Sequence, residues 1–317
     1  MRVVISGGTG LIGSALTHSL AADGHEVVIL SRHPKQTGPL PESVRFARWD
    51  AKTVDSEWAE ELNGADAVVN MAGASIAGEG FLPDRWTVQR KRNILNSRLN
   101  SSTALVEAIK GVTVKPQIFI QMSAIGYYGP DTMENVKTEE SPAANDFMGD
   151  VLVQWEASTA ALVDMGVRRP VIHTGIVLST EGGALPRMAL PFKLFAGGPL
   201  GSGKQPVSWI HIYDEVRAIR FLIDNDKAEG PFNLVAPGVV DNAEFSRILG
   251  KVLNRPSFIP APEFAFNMAF GEVATVVLDG QNVSSQKLVD AGFEFAFPDV
   301  ESALRNLYEG ETALATA

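Results

Sequence analysis

The chain of 317 residues contains no cysteine. Disulfides, thiolate catalysis and cysteine-ligated zinc sites are therefore excluded, and the composition is compatible with a reducing compartment. Basic residues are in the minority, since 27 Lys and Arg stand against 37 Asp and Glu and leave a formal net charge of -10. This balance argues against general affinity for nucleic acid or for anionic membranes.

Two further patterns are absent from the sequence. No run of about 18 uninterrupted apolar residues occurs, so we predict no membrane span. The five histidines and the carboxylates lack the spacing of metal ligands, so we predict no metal site. Because Met1-Arg2 leads directly into the apolar Val3-Val4-Ile5, we expect no signal peptide. A cytoplasmic location is then the default expectation, and we expect a small-molecule substrate as the partner.

Short apolar runs alternate with helical patterns over the first half of the chain, which is typical of an α/β fold with a doubly wound parallel sheet. The spacing of Ile12, Leu16 and Leu20 predicts a first helix, which Gly24 ends. Strands are predicted at Val3–Ile5, Val27–Leu30, Val44–Ala47, Ala67–Asn70, Ile118–Met122 and Val171–Thr174. Further helices are predicted at Trp86–Ile109 and Val151–Met165.

The pattern changes after about residue 178, where glycine clusters predict long loops rather than regular layers. The elements expected beyond them are a helix at Glu215–Ile223, a strand at Phe232–Val235, and a helix capped by Asp241 or Asn242.

These patterns predict two domains. A Rossmann domain would comprise residues 1–178, with a contribution from about 205–237. A smaller C-terminal substrate domain would comprise residues 179–204 and 238–317, and its last residues, Glu311–Ala317, have little to anchor them.

A glycine-rich segment, Gly7-Gly8-Thr9-Gly10-Leu11-Ile12-Gly13, lies between the first predicted strand and the first predicted helix. Glycine lets the backbone approach phosphate oxygens, and the helix N-terminus then offers N–H groups and the positive end of its dipole. Three glycines alone also make an ordinary tight turn. The strand–turn–helix context favours a site for a dinucleotide diphosphate.

The end of the second predicted strand indicates which dinucleotide is bound. NAD enzymes usually place Asp or Glu there for the ribose hydroxyls. This chain has Ser31-Arg32-His33 followed by Lys35. A guanidinium pairs well with a 2′-phosphate, and a hydroxyl adds a hydrogen bond. A solvated basic loop is the alternative interpretation, and we predict NADP(H).

Motifs along nearly the whole chain resemble the extended short-chain dehydrogenase/reductase superfamily. They are most similar to its atypical branch of "epimerase family" proteins, often labelled nucleoside-diphosphate-sugar epimerases. The motifs are Ser6–Gly13, Leu30-Ser31-Arg32, Asn70-Met71-Ala72-Gly73, Asn96–Leu99, Ser123–Gly129, Gln154-Trp155-Glu156, Trp209–Ile212, Asn233–Pro237, Leu278–Gln281, Gly292-Phe293 and Phe297-Pro298.

The resemblance implies further contacts with the cofactor. Met71-Ala72-Gly73 would follow the fourth strand beside the adenosine and ribose, and Arg98 on the next helix would face the cofactor. Ser123 would end the fifth strand. The segment His173–Val177 would pass the nicotinamide, and Val177 would contact the cofactor. Arg98 as a surface ion-pair partner is the alternative interpretation.

The catalytic pattern of classical members is missing. They carry Tyr-x-x-x-Lys on a helix, where the Lys cation lowers the pKa of the phenol that exchanges a proton with substrate. Counting back from Glu156, the Tyr and Lys positions fall at Met148 and Leu152, or one residue earlier. No Tyr-x-x-x-Lys occurs elsewhere in the sequence either.

Ser123, Tyr127 and Tyr128 remain as candidates for catalysis after the fifth strand. A packed Tyr-Gly turn is the alternative for the two phenols. Glu156 is either a functional carboxylate or part of helix packing.

On the substrate side, His211 would line the pocket according to the resemblance, and Asp214 would cap the next helix. Lys204, in a glycine-rich loop, would bind a substrate phosphate. That loop lacks the Walker spacing, so it does not indicate an ATP site.

Two functions follow as hypotheses. The first is an NADP(H)-dependent oxidoreductase or epimerase that acts on an unidentified small molecule, with a nucleotide sugar as one candidate. The second is a non-catalytic NADP(H)-dependent sensor or scaffold, because the Tyr and Lys are missing. A structural Rossmann fold without nucleotide is a third interpretation. Homodimers are common in the superfamily, and a homodimer is one option for the assembly of this chain.

Overall fold

A computed structural model describes residues 1–34, 41–78, 80 and 82–310. The predictions for Lys35 and for Glu311–Ala317 concern residues outside the described part of the chain.

Strands form where β-branched residues are buried in short runs, as expected for parallel strands covered on both faces. Their bounds are β1 Arg2–Ser6, β2 Glu26–Ser31, β3 Val44–Arg48, β4 Ala67–Asn70, β5 Ile118–Ala124, β6 Val136–Lys137, β7 Pro170–Thr174, β8 Ile176–Leu178, β9 Pro206–Val207, β10 Trp209–His211, β11 Gly230–Leu234, β12 Val240–Asp241 and β13 Asn282–Val283.

The α-helices lie mainly between consecutive strands of the sheet. Their bounds are α1 Leu11–Ala22, α2 Ser56–Ala59, α3 Val88–Gly111, α4 Phe147–Ala157, α5 Leu185–Lys193, α6 Ile212–Asp224, α7 Asn242–Leu253, α8 Glu263–Phe270, α9 Thr275–Leu278, α10 Gln286–Asp290 and α11 Val300–Glu309. Short 3₁₀ helices cover Glu60–Leu62, Ile125–Tyr128, Ala160–Met165 and Gly271–Ala274.

Seven strands form one parallel sheet in the order β11-β7-β5-β4-β1-β2-β3. Val3 of β1 lies beside Val27 of β2 on one side and beside Ala67 of β4 on the other. The chain therefore builds outwards from β1 in both directions. In such a sheet, ligands bind at the carboxyl ends of the strands where the order reverses, here between β1 and β4.

Helices cover both faces of the sheet because alternate strand residues point in opposite directions. Val3 packs in one buried cluster with Leu16 of α1 and Ile219 of α6. Val4 packs in the other with Leu105 of α3. A third buried cluster joins α5, α7 and α11 to β8 and β10.

The fold confirms the predicted α/β class and the six strands and first helix predicted for the first half. The predicted helices at 215–223 and 86–109 are also present, with shifted ends. Asp241 caps α7 by accepting the backbone N–H of Glu244, as one of the two predicted alternatives.

Three details of the prediction were wrong. The helix expected at 151–165 is interrupted: α4 begins at Phe147 and ends at Ala157, and a 3₁₀ helix follows. Part of the expected loop region forms α5, with Pro at its start, where proline is tolerated. Asp214 does not cap α6; the cap is His211, whose side chain accepts the N–H of Tyr213.

Asp214 instead lies in the first turn of α6 and is fully buried. Its two carboxylate oxygens accept the backbone N–H groups of Ala296 and Phe297 at 2.9 Å each. The residue thus attaches the C-terminal segment to the Rossmann sheet's helix layer rather than ending a helix.

Within the described part of the chain, no helix is both long and apolar enough to cross a membrane. The same residues contain no group of three or more His, Asp or Glu side chains that could hold a metal ion.

Candidate functional site

The glycine turn joins β1 to α1 at the point where the strand order reverses. Gly10 is the N-cap residue of α1, and no side chain caps that end of the helix. The N–H of Gly10 donates to the carbonyl of Gly7 at 3.0 Å, which closes the turn. An uncapped helix N-terminus at a solvent-exposed Gly10 is the arrangement that binds phosphate.

Two of the glycines are required by space, and one of them, Gly7, is required by its backbone conformation as well. Gly7 has φ +76°, and a Cβ there would lie 2.8 Å from the carbonyl oxygen of Met71. A Cβ on Gly13 would lie 2.4 Å from the carbonyl oxygen of Gly7. The turn is therefore packed directly against the helix that follows it and against the segment after β4.

The end of β2 presents Ser31 and Arg32 beside this turn. The Ser31 hydroxyl accepts the N–H of His33 at 3.2 Å, which bends the chain after the strand. The Arg32 side chain is exposed, and it forms no ion pair with any residue that the structure describes. A free guanidinium at this edge is chemically suited to bind a phosphate.

Arg98 of α3 approaches the segment after β4. A Cβ on Gly73 would lie 3.0 Å from the guanidinium carbon of Arg98, so Gly73 leaves room for it. Nη1 of Arg98 donates to the carbonyls of Ala74 and Ile94, and the guanidinium lies over the ring of Trp155 with 4.9 Å to its centroid.

No carboxylate among the described residues pairs with Arg98, and its Nε is buried without a partner there. Burial lowers the pKa of the guanidinium to about 10. At neutral pH the group is therefore a cation without a neutralising partner, and an anionic ligand would supply one.

A row of buried polar side chains crosses the sheet face below α3 and α4. The Ser6 hydroxyl donates to Oδ1 of Asn70 at 2.8 Å. Nδ2 of Asn70 donates to the hydroxyl of Ser102 at 2.9 Å and to Oε1 of Gln121 at 3.1 Å. The indole of Trp155 also donates to Ser102, at 3.0 Å. These bonds fix both helices on the sheet.

The row continues at the catalytic candidates. Ser123 donates to Oε1 of Glu156 at 2.5 Å, and Nε2 of His173 lies 3.0 Å from the same oxygen. The Tyr128 hydroxyl lies 2.7 Å from Nδ1 of His173 and 2.7 Å from Oδ1 of Asn233. We call these five residues the Glu156 network.

The two phenols occupy different environments. Tyr128 is buried inside the Glu156 network, and burial together with the nearby Glu139 raises the pKa of its phenol well above the usual range. Tyr127 stacks on His173 with 4.9 Å between ring centroids. Its hydroxyl forms no hydrogen bond with described residues, and burial followed by Glu156 raises the pKa of its phenol.

Raised phenol pKa values are the opposite of what the Lys of a Tyr-x-x-x-Lys pair produces. The two helix positions where that pair was sought hold Met148 and Leu152 on α4. Both pack towards the 3₁₀ helix after β5, since a Cβ on Gly126 would lie 3.8 Å and 3.7 Å from them. Neither phenol is therefore prepared to ionise.

The remaining predicted site residues are Val177, Lys204 and His211. Val177 of β8 pairs with Ile210, and Leu11 contacts the neighbouring Gly183, where a Cβ would lie 3.1 Å from Leu11. Lys204 is exposed in its loop. His211 is buried, caps α6 and stacks on Phe297 at 4.1 Å. Their roles towards cofactor and substrate stay predictions.

Sequence reasoning missed the partners that organise the site. His173 and Asn233 were noted only as members of motifs, and Glu139, whose Oε1 accepts the N–H of Asn233 at 2.9 Å, was not noted. The residues that meet are up to 105 positions apart in sequence. No local spacing reports such a contact.

Comparison with known proteins identifies the family. The model of the NAD dependent epimerase/dehydratase family matches residues 3–235. The chain belongs to this family. A second family model, described as "Domain of unknown function (DUF1731)", matches residues 261–307. The predicted resemblance and the Rossmann fold are thereby confirmed.

Relatives match over nearly their full length. Epimerase family protein YfhF of Bacillus subtilis (strain 168) is 36% identical over 308 residues, which cover 97% of this chain and 98% of the relative. Epimerase family protein SH2119 of Staphylococcus haemolyticus (strain JCSC1435) is 37% identical over 308 residues, which cover 97% of this chain and 99% of the relative.

Among solved structures, human epimerase family protein SDR39U1 (isoform2), crystallised with NADPH, superposes with a TM-score of 0.87. It is 36% identical, and the match covers 98% of this chain and 99% of that chain. A nucleoside-diphosphate sugar epimerase from Corynebacterium glutamicum is 32% identical with a TM-score of 0.76, and the match covers 99% of this chain and 59% of that chain.

Proposed function

We propose that this family member binds NADP(H) and acts as an oxidoreductase or epimerase on a small molecule. A nucleotide sugar is one candidate substrate, by analogy with the relatives. The observation that carries the proposal is the glycine turn against the uncapped N-terminus of α1, with Arg32 free at the adjacent strand end. NADPH in the human relative's crystal supports the choice of nucleotide.

The residues fit the dinucleotide in three places. Gly7 and Gly13 let the backbone of the turn pack closely in front of the positive end of the helix dipole. Arg32 would bind the 2′-phosphate, and Arg98 would face the negatively charged middle of the ligand, where its charge lacks a protein partner. When bound, NADP(H) supplies hydride transfer to or from a carbon of the substrate.

Arg32 provides the test of the cofactor assignment. Arg32→Ala removes a charge-assisted phosphate contact, so NADPH binding should weaken by about 1.5–3 kcal/mol, which is roughly 10- to 150-fold. NADH binding should not change, because NADH lacks the 2′-phosphate. Titration calorimetry with both dinucleotides measures this difference.

Arg92→Ala is the matched control, because Arg92 is also exposed but belongs to α3 and not to the end of β2. It should leave both affinities unchanged. Equal affinity of the wild-type protein for NADPH and NADH would overturn the NADP(H) assignment.

A non-catalytic NADP(H)-dependent sensor is the second candidate. The observation that favours it is the apolar pair Met148 and Leu152 at the helix positions of the missing phenol and amine. A partner protein that binds only in the presence of NADPH, combined with no turnover in a metabolite screen, would support the sensor. Turnover that persists in a Tyr127→Phe, Tyr128→Phe double variant would support an enzyme that does not use the phenols.

A further inference from the structure

We propose that Glu156 and His173 share one proton beside Ser123, and that this proton is exchanged with the substrate in place of a tyrosine proton. The inference rests on the proposed function, because it assumes hydride chemistry at this edge of the sheet. It assigns the role of the acid to Glu156, which the sequence left open between a functional carboxylate and a part of helix packing.

The amide orientation of Asn233 is determined by a neighbouring carbonyl group. Nδ2 of Asn233 donates to the carbonyl oxygen of Ser284 at 2.9 Å. If the amide were reversed, two oxygens would face each other there without a hydrogen. Oδ1 therefore points to the hydroxyl of Tyr128, 2.7 Å away.

The orientation of Asn233 determines where the hydrogens lie in the other hydrogen bonds of the Glu156 network. Tyr128 has one hydroxyl hydrogen and must donate it to Oδ1 of Asn233. Its oxygen can then only accept from Nδ1 of His173, at 2.7 Å. His173 consequently carries a hydrogen on Nδ1.

The contact between His173 and Glu156 then requires one more proton. Nε2 of His173 lies 3.0 Å from Oε1 of Glu156, which is hydrogen-bond distance. The hydrogen is either on Nε2, giving an imidazolium beside a carboxylate, or on the carboxyl group, beside a neutral imidazole. In both cases the pair holds a single shared proton, and Ser123 donates to the same oxygen.

Glu156 lies where this proton can be used. Met148, Leu152 and Glu156 are spaced four residues apart on α4, so they follow one face of the helix. The carboxyl group therefore lies eight residues, or about two turns, along the helix from the position of the missing tyrosine. Ser123, near the end of β5, supplies the hydroxyl beside it.

The other carboxylate oxygen of Glu156 is accessible to solvent. The Glu156 side chain is 18% exposed. Its Oε2 forms no hydrogen bond with the described residues and is not buried. Other charged or titratable groups around the pair are Arg169, which donates to the backbone carbonyl of Glu156, together with Glu139 and Tyr127.

In the reduction of a carbonyl, bound NADPH would supply the hydride of the new C–H bond. The Ser123 hydroxyl would give its hydrogen to the substrate oxygen to form the O–H bond, and it would take the shared proton from Oε1 of Glu156 in return. The substrate is reduced, the dinucleotide is oxidised, and the pair remains as a carboxylate and a neutral imidazole with its hydrogen on Nδ1. Oxidation of an alcohol reverses these transfers.

Nitrogen NMR of protein labelled in its five histidines tests the proton placement without substrate. His173→Gln identifies the signals. We expect a hydrogen on Nδ1 of His173 and a second proton shared between Nε2 and Glu156. Glu156→Gln should remove the second proton and leave the neutral Nδ1–H form.

Glu140→Gln is the matched control, since Glu140 is exposed near the site and should leave the spectrum unchanged. A wild-type spectrum with the hydrogen on Nε2 alone would overturn the proposal. So would a spectrum that does not respond to Glu156→Gln.

The second measurement separates this proposal from cofactor binding. NADPH affinity should be the same in wild type and Glu156→Gln, whereas NADPH oxidation with a panel of small aldehydes and ketones should fall about 10²- to 10⁴-fold. Glu156→Asp should recover part of the rate and shift its pH profile. The acid role of Glu156 is overturned if Glu156→Gln lowers the rate of NADPH oxidation by less than 3-fold, or if wild type binds NADPH but does not oxidise it. Absence of NADPH binding overturns the proposed function instead.

Discussion

Gly13 shows how tightly a single position is constrained in the phosphate turn. A Cβ at this residue would meet the carbonyl oxygen of Gly7 at 2.4 Å and the Cα of Gly8 at 2.7 Å. Both are backbone atoms and cannot rotate away as a side chain would. The helix can therefore start this close to the strand only with glycine at this position.

Gly13→Ala should accordingly lower the free energy of unfolding by about 1–3 kcal/mol, the usual cost of overpacking. It should also weaken NADPH binding, because the helix N-terminus must move away from the turn. Urea denaturation and an NADPH titration measure the two effects.

Gly111 provides the comparison within the same chain. It is the last residue of α3, and a Cβ there would have no atom within 4 Å. Gly111→Ala should be neutral or stabilise the protein by up to about 1 kcal/mol, since Ala loses less entropy in a helix. Equal destabilisation by the two substitutions would contradict the steric argument.

The same contrast explains which site residues a sequence reveals. Gly7 and Gly13 could be predicted because their requirement is local: a strand, a turn and a helix follow each other within a dozen residues. Glu156 and His173 acquire their chemistry from each other and from Tyr128 and Asn233, which lie on separate strands and turns. Their pairing depends on the folded sheet.

At the scale of the element, α6 joins the Rossmann sheet to the C-terminal segment through its first turn. His211 caps the helix with its Nδ1 and stacks on Phe297, and Asp214 binds the backbone of residues 296 and 297. Burial lowers the pKa of His211 to about 4, although a side-chain hydrogen bond with Asn306, which favours the protonated ring, opposes the shift.

This pKa makes the stability of the protein depend on pH. Above pH 6.5, His211 is neutral in the folded and unfolded states. As the pH falls from 6.5 to about 4, the unfolded chain binds a proton that the folded chain does not, so up to about 3 kcal/mol of stability is lost. His211→Asn should keep the cap and remove this loss.

Urea denaturation of wild type and His211→Asn at pH 7.5 and 5 measures the difference. The variant should gain stability relative to wild type as the pH falls. Comparison at each pH is needed because Glu215, in the same helix, is fully buried and burial raises its pKa to about 8, which gives a slope of opposite sign. A parallel decline of both proteins would exclude His211 as the cause.

Element boundaries also show where prediction from sequence failed. Asp214 was a reasonable cap by residue type, but His211 takes that role because its ring nitrogen reaches the N–H of Tyr213 two residues later. The apolar pattern over 151–165 was read as one helix. Thr159, which is buried and hydrogen-bonded to Gln121 of the sheet, lies between the end of α4 at Ala157 and the start of the 3₁₀ helix at Ala160.

At the scale of the whole molecule, the sheet order gathers the site from distant parts of the chain. The glycine turn, the end of β2, the segment after β4 and the end of β5 all lie at the carboxyl edge of one parallel sheet. The alternation of strands and helices made this fold predictable. The depth at which polar groups would lie below that edge was not predictable, because it depends on packing between α3, α4 and the sheet.

Arg98 links folding and binding across this edge. Its guanidinium is held between the segment after β4 and Trp155 of α4, has no carboxylate partner among the described residues, and leaves Nε without a hydrogen bond. A desolvated cation of this kind contributes little to stability on its own. Its charge is therefore best explained by a ligand.

Arg98→Met tests this explanation because Met retains much of the apolar stem and removes the charge. In the absence of ligand, the free energy of unfolding should change by less than about 1 kcal/mol, since relief from burying a charge offsets the lost bonds to carbonyls. NADPH affinity should fall at least about 10-fold.

Thermal unfolding with and without NADPH distinguishes the two effects in one experiment. Wild type should gain about 2.7 kcal/mol at 100 times its dissociation constant, and Arg98→Met should gain much less at the same concentration because its sites are less fully occupied. If the variant were strongly destabilised without ligand yet bound NADPH normally, Arg98 would be a structural residue. The unpaired charge would then stabilise the contact between α3 and α4 through its stacking on Trp155 rather than serve the ligand.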